Sequence, residues 1–160
     1  MKRSIVFSNL ILMIGLGVGI SAAQTKSAAK PAIFAQQLVD EALAKHPDVV
    51  IIAIHVTPPG KTDNVIIASN IGRYGKKADE DDMRVIDTGK SNLEINKGGN
   101  HFEVELVLQD QSGKTIGAAG IVFNYKPGDD KGQMEKTAEQ IRDEWKAQTP
   151  TKESLFAPAK

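Results

Sequence analysis

The segment that decides the fold is His101–Tyr125, which reads HFEVELVLQDQSGKTIGAAGIVFNY. Its first half alternates apolar with polar residues, and this period of two is typical of a strand with one buried face. Its second half is apolar and includes the small residues of Gly117–Gly120, which leave room for another element or a ligand to come close. Between the halves, Asp110–Gly113 is polar and ends in a glycine, which favours a tight turn. The segment therefore predicts a long antiparallel hairpin in the middle of a sheet.

Three further strands are predicted upstream of this hairpin. Val49–Thr57 is almost entirely β-branched or apolar, which indicates a strand covered on both faces. Pro58-Pro59-Gly60 ends it, and Val65–Ser69 is expected to return as its hairpin partner. Leu93–Asn96 is the third strand, and the glycines that follow it turn the chain into the long hairpin.

Helices are predicted at three places. The first opens at Pro31, which lacks the N–H that a first helical position leaves unpaired, and stops before Pro47. The second is short and spans Asp79–Thr88, with acidic residues at its positive end and Gly89 as its cap. The third is marked by an apolar stripe at helical spacing: Met134, Ala138, Ile141 and Trp145. The order predicts one α+β domain with a five-stranded antiparallel sheet.

The first residues are typical of a secretory signal peptide. Lys2 and Arg3 precede an apolar run over Ile5–Ile20, and the small residues at 21–23 follow, so cleavage is expected between Ala23 and Gln24. An uncleaved membrane anchor is the alternative, although the run is shorter than the roughly 20 residues that span a bilayer. The predicted organisation is a signal peptide at 1–23, a linker at 24–30, the domain at 31–148 and a polar tail at 149–160, which Leu155 and Phe156 pin to the domain.

Charge and cysteine content exclude several classes of function. The 160 residues include 20 basic and 20 acidic residues, and removal of Lys2 and Arg3 leaves the mature chain near −2. Such a chain has no basic bias toward nucleic acid or anionic lipid. The absence of cysteine excludes disulfides, thiolate metal sites and a cysteine nucleophile. An exported protein of this kind suits the bacterial periplasm or the cell exterior and depends on its core for stability.

Metal and catalytic patterns are weak. His46, His55 and His101 are too far apart in sequence for a local metal motif. The acidic run Asp79–Asp82 lacks the spacing of a calcium loop, and solvated acids at a helix start explain it better. His101, Glu103 and Glu105 share one strand face and could form an acid–base set, but alternation alone predicts polar residues there. The sequence therefore predicts no metal, no cofactor and no catalysis.

The loop after the second strand holds the best candidates for recognition. Arg73 offers a planar fork that matches a carboxylate, and Tyr74 and Asn70 add directional hydrogen bonds. Ordinary surface positions explain the same loop residues equally well. His55 lies in an apolar strand, so it either lines a polar cavity or is a satisfied core histidine. The complete set of predicted ligand-binding residues is Asn70, Arg73, Tyr74, His55, His101 and Ser69.

Two stretches carry a resemblance to a known family. VIIASNIGRYGKKADEDDMRVIDTGKS and FEVELVLQDQSGKTIGAAGIVF, with the Asp-x-x-Gly-Lys-x-Ile-Gly turn that starts at Asp110, resemble the Cache domains. These are extracytoplasmic, PAS-like sensor modules, and the match covers roughly residues 33–125. The resemblance implies a helix that backs the sheet, and a carboxylate or amino-acid-like ligand between the sheet and the inserted loop and helix. It makes the hairpin the floor of the pocket and Asn70–Gly89 its lid.

The resemblance also implies how such a domain would act. With no output module in this sequence, it would work as a soluble binding protein or present its state to a membrane receptor or signalling protein. A protein-interaction module of the same fold without a ligand is the second hypothesis. An enzyme using His101 with Glu103 or Glu105, or using His55, is the third.

Overall fold

The computed structural model describes residues 29–160, so the predicted signal peptide and most of the predicted linker lie outside the described residues. The elements follow in the order α1 (Phe34–Lys45), β1 (Val49–Val56), β2 (Val65–Ser69), α2 (Glu80–Thr88), β3 (Asn92–Ile95), β4 (His101–Gln109), β5 (Thr115–Asn124), α3 (Lys131–Gln148) and a 3-10 turn (Lys152–Phe156).

The five strands form one antiparallel sheet in the order β2-β1-β5-β4-β3. The hairpin of β4 and β5 is confirmed, and β5 is the central strand. Its turn is closed by the Asp110 carboxylate, which accepts hydrogen bonds from the backbone N–H groups of Ser112 and Lys114, and by Gly113 at a φ of 86°. The α+β prediction with a five-stranded sheet is therefore confirmed.

One face of the sheet is covered by α1 and α3. The alternate residues of β1 and β4 that point to this side, together with Ile121 and Phe123 of β5, form the main core with the apolar stripes of both helices. Trp145 of α3 is 2% exposed within it. The predicted stripe of α3 thus packs on the sheet.

Gly117 sets how closely β1 and β5 approach each other. A Cβ at this position would overlap the carbonyl oxygen of His55 and would lie 2.9 Å from Cγ2 of Val56. Because backbone cannot move aside as the end of a flexible side chain can, only glycine fits here.

The first helix begins later than the sequence predicts. It starts at Phe34 rather than Pro31, because Ile33 is extended and pairs with Pro158 of the tail. Two backbone hydrogen bonds flank this pair, from Phe34 N to Ala157 O and from Ala159 N to Ala32 O. We call this pairing of residues 32–34 with residues 157–159 the terminal clasp. The 3-10 turn just before it is anchored by Leu155, which is fully buried as predicted.

The opposite face of the sheet carries α2, which contacts β4 and β5. The predicted cap of α2 is confirmed, since Gly89 adopts the left-handed conformation with a φ of 72°. Within residues 29–160, none of the helices combines the length and the apolar composition of a membrane span.

Candidate functional site

A cavity of about 280 Å³ lies between the sheet and the start of α2. The loop after β2 and the first turn of α2 form its roof, and β1, β4 and β5 form its floor. This is the position that the insertion between β2 and β3 predicts. Its ionisable residues are His55, Arg73, Lys76, Asp79, Asp82, Glu103 and Glu105.

The floor is polar because of the alternation along β4. Phe102, Val104 and Leu106 point to the main core, so Glu103 and Glu105 point to the α2 side. Their neighbour on β5 is Gly120, which pairs with Glu105 in the register. A Cβ on Gly120 would lie 2.8 Å from Oε1 of Glu103, so the glycine makes room for that carboxylate.

The start of α2 brings two more carboxylates to the cavity. Asp79 is the N-cap and accepts a hydrogen bond from the Asp82 backbone N–H at 3.3 Å. The Asp82 carboxylate accepts one from the Asp79 backbone N–H at 3.0 Å, which completes a capping box. Asp82 is only 4% exposed, so the sequence prediction of four solvated acids is wrong for this residue. Helix packing onto the sheet, which the local sequence does not encode, buries it.

His55 and Asp82 form the most buried polar pair of the site. His55 is 5% exposed, and its Nδ1 lies 3.3 Å from Oδ2 of Asp82. Burial lowers the pKa of His55, against the opposing effect of the Asp82 charge, and burial raises the pKa of Asp82. Both charged forms are disfavoured, so the contact is not a strong ion pair.

The pKa values of Glu103 and Glu105 on β4 are also shifted. Burial raises the pKa of Glu105 to about 7, although a hydrogen bond from Nδ2 of Asn92 opposes this shift. Burial raises the pKa of Glu103 too, and the nearby charge of Asp82 adds to the effect. Several carboxylates therefore share a poorly hydrated space, which is typical of functional sites.

Three of the predicted ligand-binding residues lie outside the cavity lining and hold the fold together. Asn70 bonds to the β1 backbone, accepting from Ile52 N and donating to Val50 O, both at 2.9 Å. Ser69 is fully buried, and its backbone N–H donates to Oε1 of Gln36 on α1. The Tyr74 hydroxyl donates to the Ser69 carbonyl oxygen at 2.9 Å. These contacts fasten the loop after β2 to the sheet and to α1.

The other three predicted residues divide between the cavity and the surface. His55 and Arg73 line the cavity. Arg73 has a φ of 65°, an uncommon conformation for a residue with a side chain. His101 lies outside the cavity lining, with its Nδ1 3.3 Å from Nδ2 of Asn96.

Sequence reasoning missed Asp79, Asp82 and Asn92 as members of the site. The acidic run was visible, but a single sequence does not show which of its residues faces the sheet. Asn92 begins the edge strand β3 and donates a hydrogen bond to Glu105 across the strand pair. The sequence signal that pointed to the site was His55, a polar residue within an apolar strand.

Within residues 29–160, three clefts elsewhere are larger, two at about 420 Å³ each and one at about 410 Å³. The first two lie between the turn after α1 and the start of α3 and beside the turn of the long hairpin, and the third lies between α1 and the end of the tail. All three are more open than the cavity under α2 and are lined largely by exposed or partly exposed residues. We therefore take the smaller, more enclosed cavity with its perturbed ionisable groups as the candidate site.

Comparison with known proteins identifies a fold. No family model and no curated protein matches the sequence. Among solved structures, the chain is similar to the repressor BlcR of Agobacterium tumefaciens, with a TM-score of 0.50 at 9% identity over 73% of this chain and 67% of BlcR. The fold is PAS/GAF-like.

Two other solved structures are similar at lower scores. A double mutant of the inducer-binding domain of the PobR transcription factor from Acinetobacter, in complex with 3-hydroxybenzoic acid, has a TM-score of 0.47 at 10% identity over 70% of this chain and 95% of that domain. The second GAF domain of DevS from Mycobacterium smegmatis has a TM-score of 0.41 at 15% identity over 71% of this chain and 91% of that domain.

Proposed function

We propose that this protein is a small-molecule-binding sensor module related to the Cache domains, with its ligand in the cavity under α2. The observation that carries the proposal is the cavity itself, whose floor holds buried ionisable groups among apolar side chains. Its volume of about 280 Å³ lies just below the range of roughly 300–1,000 Å³ that is typical of ligand sites. A compact metabolite is the appropriate size.

The charges of the cavity favour an amino-acid-like ligand over a simple carboxylate. Glu103 on the floor would pair with an ammonium group, and Arg73 on the roof would bind a carboxylate. A carboxylate alone would face four acidic side chains against two basic ones. A zwitterion satisfies both signs.

We further propose that the module binds its ligand without transforming it. A catalytic set built on His101 is disfavoured because that residue is outside the cavity lining, whereas Glu103 and Glu105 are inside it. The measurement that would contradict this proposal is turnover of a bound metabolite that disappears in a His55→Ala variant.

Export to the periplasm or the cell exterior is the third element of the proposal. It is supported by the basic start, the apolar run Ile5–Ile20, the small residues before Gln24 and the absence of cysteine. The mass of the protein recovered from its host tests it. A mature chain that begins at Gln24 in the extracytoplasmic fraction is expected, and an intact chain in the membrane fraction would instead indicate the anchor.

Native mass spectrometry of protein from its own host, followed by a thermal-shift screen in chelator, tests ligand binding. A cognate amino-acid-like ligand at about 100 times its dissociation constant should stabilise the fold by about 2.7 kcal/mol. Arg73→Ala should remove most of this stabilisation. The matched control is Arg142→Ala on α3, which packs on the opposite face and should leave it unchanged.

A protein-interaction module is the alternative that one observation favours. Leu93 and Ile95 on the edge strand β3 are 46% and 37% exposed, which is unusual for large apolar side chains on an unpaired edge. No retained ligand and no thermal shift across a broad metabolite set would sink the sensor proposal and favour this alternative.

A further inference from the structure

Three carboxylates converge at one end of the cavity. One oxygen from each of Asp79, Asp82 and Glu105 lies within 4.8 Å of the others. Oxygens on opposite sides of a metal ion, each about 2.1 Å from it, are about 4.2 Å apart. Small side-chain adjustments would therefore bring all three onto one ion.

An independent observation comes from His55. Its Nδ1 is buried and forms no hydrogen bond, although Oδ2 of Asp82 lies 3.3 Å away. The residue is 5% exposed and lines the same cavity. A buried imidazole nitrogen without a partner is costly, and a metal ion at this point would satisfy it.

The surroundings are those of a supported metal site. Asn92 donates to Oε2 of Glu105 and holds that side chain in place, and Arg84 in turn donates to Asn92. The capping box fixes Asp79 and Asp82 relative to each other. Such neighbours orient the ligands of protein metal sites.

We propose that His55, Asp79, Asp82 and Glu105 bind a divalent transition-metal ion. The site goes beyond the organic-ligand proposal, because an ion can bind here whether or not a metabolite fills the rest of the cavity. The donor set decides the class of ion. An imidazole nitrogen with carboxylate oxygens suits Zn²⁺ or Mn²⁺, whereas Ca²⁺ and Mg²⁺ prefer oxygen ligands alone.

Calorimetric titration of the purified, chelator-stripped protein with Zn²⁺ or Mn²⁺ alone tests the site. One ion per chain is expected, with Ca²⁺ binding much more weakly. Glu105→Gln should weaken the affinity at least about tenfold, because it removes a ligand rather than a supporting neighbour. Glu80→Gln is the matched control, because it removes the same charge from the exposed side of α2. This variant should bind the metal ion with the wild-type affinity.

Pulsed EPR of bound Mn²⁺ supplies a readout that a merely structural role would not change. Coupling to an imidazole nitrogen is expected in the wild-type protein and should be absent in His55→Gln. Equal affinity in wild type and Glu105→Gln, or a bound ion without nitrogen coupling, would overturn the proposal. If Glu105→Gln does not fold, the wild-type EPR spectrum decides alone.

The metal-site proposal and the metabolite-sensor proposal are tested by separate experiments, so either can be refuted without the other. The metabolite screen is run in chelator, and the metal titration is run without metabolite. Saturable Zn²⁺ binding with no metabolite shift leaves the metal site standing without an organic ligand. A metabolite shift in chelator with no saturable metal binding refutes the metal site and leaves the sensor.

Discussion

The two faces of this sheet are built from the same strands but differ in the side chains that they bury. On the α1 and α3 side, residues such as Ile52, Leu106 and Phe123 are buried against apolar helix stripes. On the α2 side, the residues of the same strands include Glu103, Glu105 and His55, which line a cavity. One face is packed for stability, and the other keeps ionisable groups away from water.

The comparison shows how a small domain can separate the residues that hold its fold together from those that line a cavity. The apolar face removes enough surface from water to hold the sheet together. The α2 face can then tolerate buried carboxylates, each of which weakens the fold unless it is paired or protonated. Substitutions on the two sides should therefore change the free energy of unfolding by different amounts, and sometimes in opposite directions.

The largest difference is expected between two adjacent isoleucines of β1. Ile52 is fully buried in the main core, whereas Ile51 is partly exposed and lines the cavity. Ile52→Ala should lower the free energy of unfolding by about 2–5 kcal/mol, and Ile51→Ala by about half as much or less. Chemical denaturation of both variants measures the difference. Equal losses would show that the α2 face is packed as tightly as the core.

A second pair tests the small residues of β5. Gly117→Ala should cost about 1–3 kcal/mol, because its Cβ would meet the β1 backbone. Gly120→Ala should cost less, because its Cβ meets the movable carboxylate of Glu103. It should nevertheless weaken binding of a ligand that uses Glu103. Denaturation and ligand titration of both variants check this, and a larger stability loss for Gly120→Ala would contradict it.

The smallest expected effect is a gain of stability on the α2 face. The folded-state pKa of Glu105, about 7, is above its unfolded value. The stability that Glu105 contributes to the fold is therefore fully present below about pH 4.5 and is lost as the pH rises through 7. Glu105→Gln lacks this loss. In chelator, its stability relative to wild type should rise by about 1–2 kcal/mol between about pH 5 and pH 8, less than the full shift implies because solvent that enters through the mouth of the cavity screens part of the effect.

Subtracting the wild-type curve removes the contributions of His55 and Asp82, which both proteins share. Glu80→Gln, on the exposed side of α2, should show no such rise. A flat difference for Glu105→Gln would mean that Glu105 is ionised and well solvated in the folded protein.

Most of the fold could be predicted from the sequence because its signals are local. The alternation in His101–Gln109, the apolar run of Val65–Ser69 and the cap at Gly89 depend on neighbouring residues only. The start of α1 could not be predicted, since Ile33 is held extended by Pro158, far away in the sequence. A long-range partner overrode the preference of Pro31 to open a helix.

The candidate site could be predicted only in part. His55 was identifiable because a polar residue in an apolar strand needs an explanation. The roles of Asn70 and Tyr74 were not, since a side chain that bonds to backbone looks the same in sequence as one that binds a ligand. Asp82 and Glu105 meet only because α2 packs on the face of β4 that alternation had assigned to solvent.

The terminal clasp makes this domain a natural candidate for circular permutation. Ala32 and Ala159 are joined by a backbone hydrogen bond, so a short linker could connect the two ends with little loss of loop entropy. New ends could be opened in the exposed turn between β1 and β2, at residues 60–63. Because α1 packs on the face opposite the cavity, a fluorescent reporter attached at the clasp would leave the cavity mouth clear.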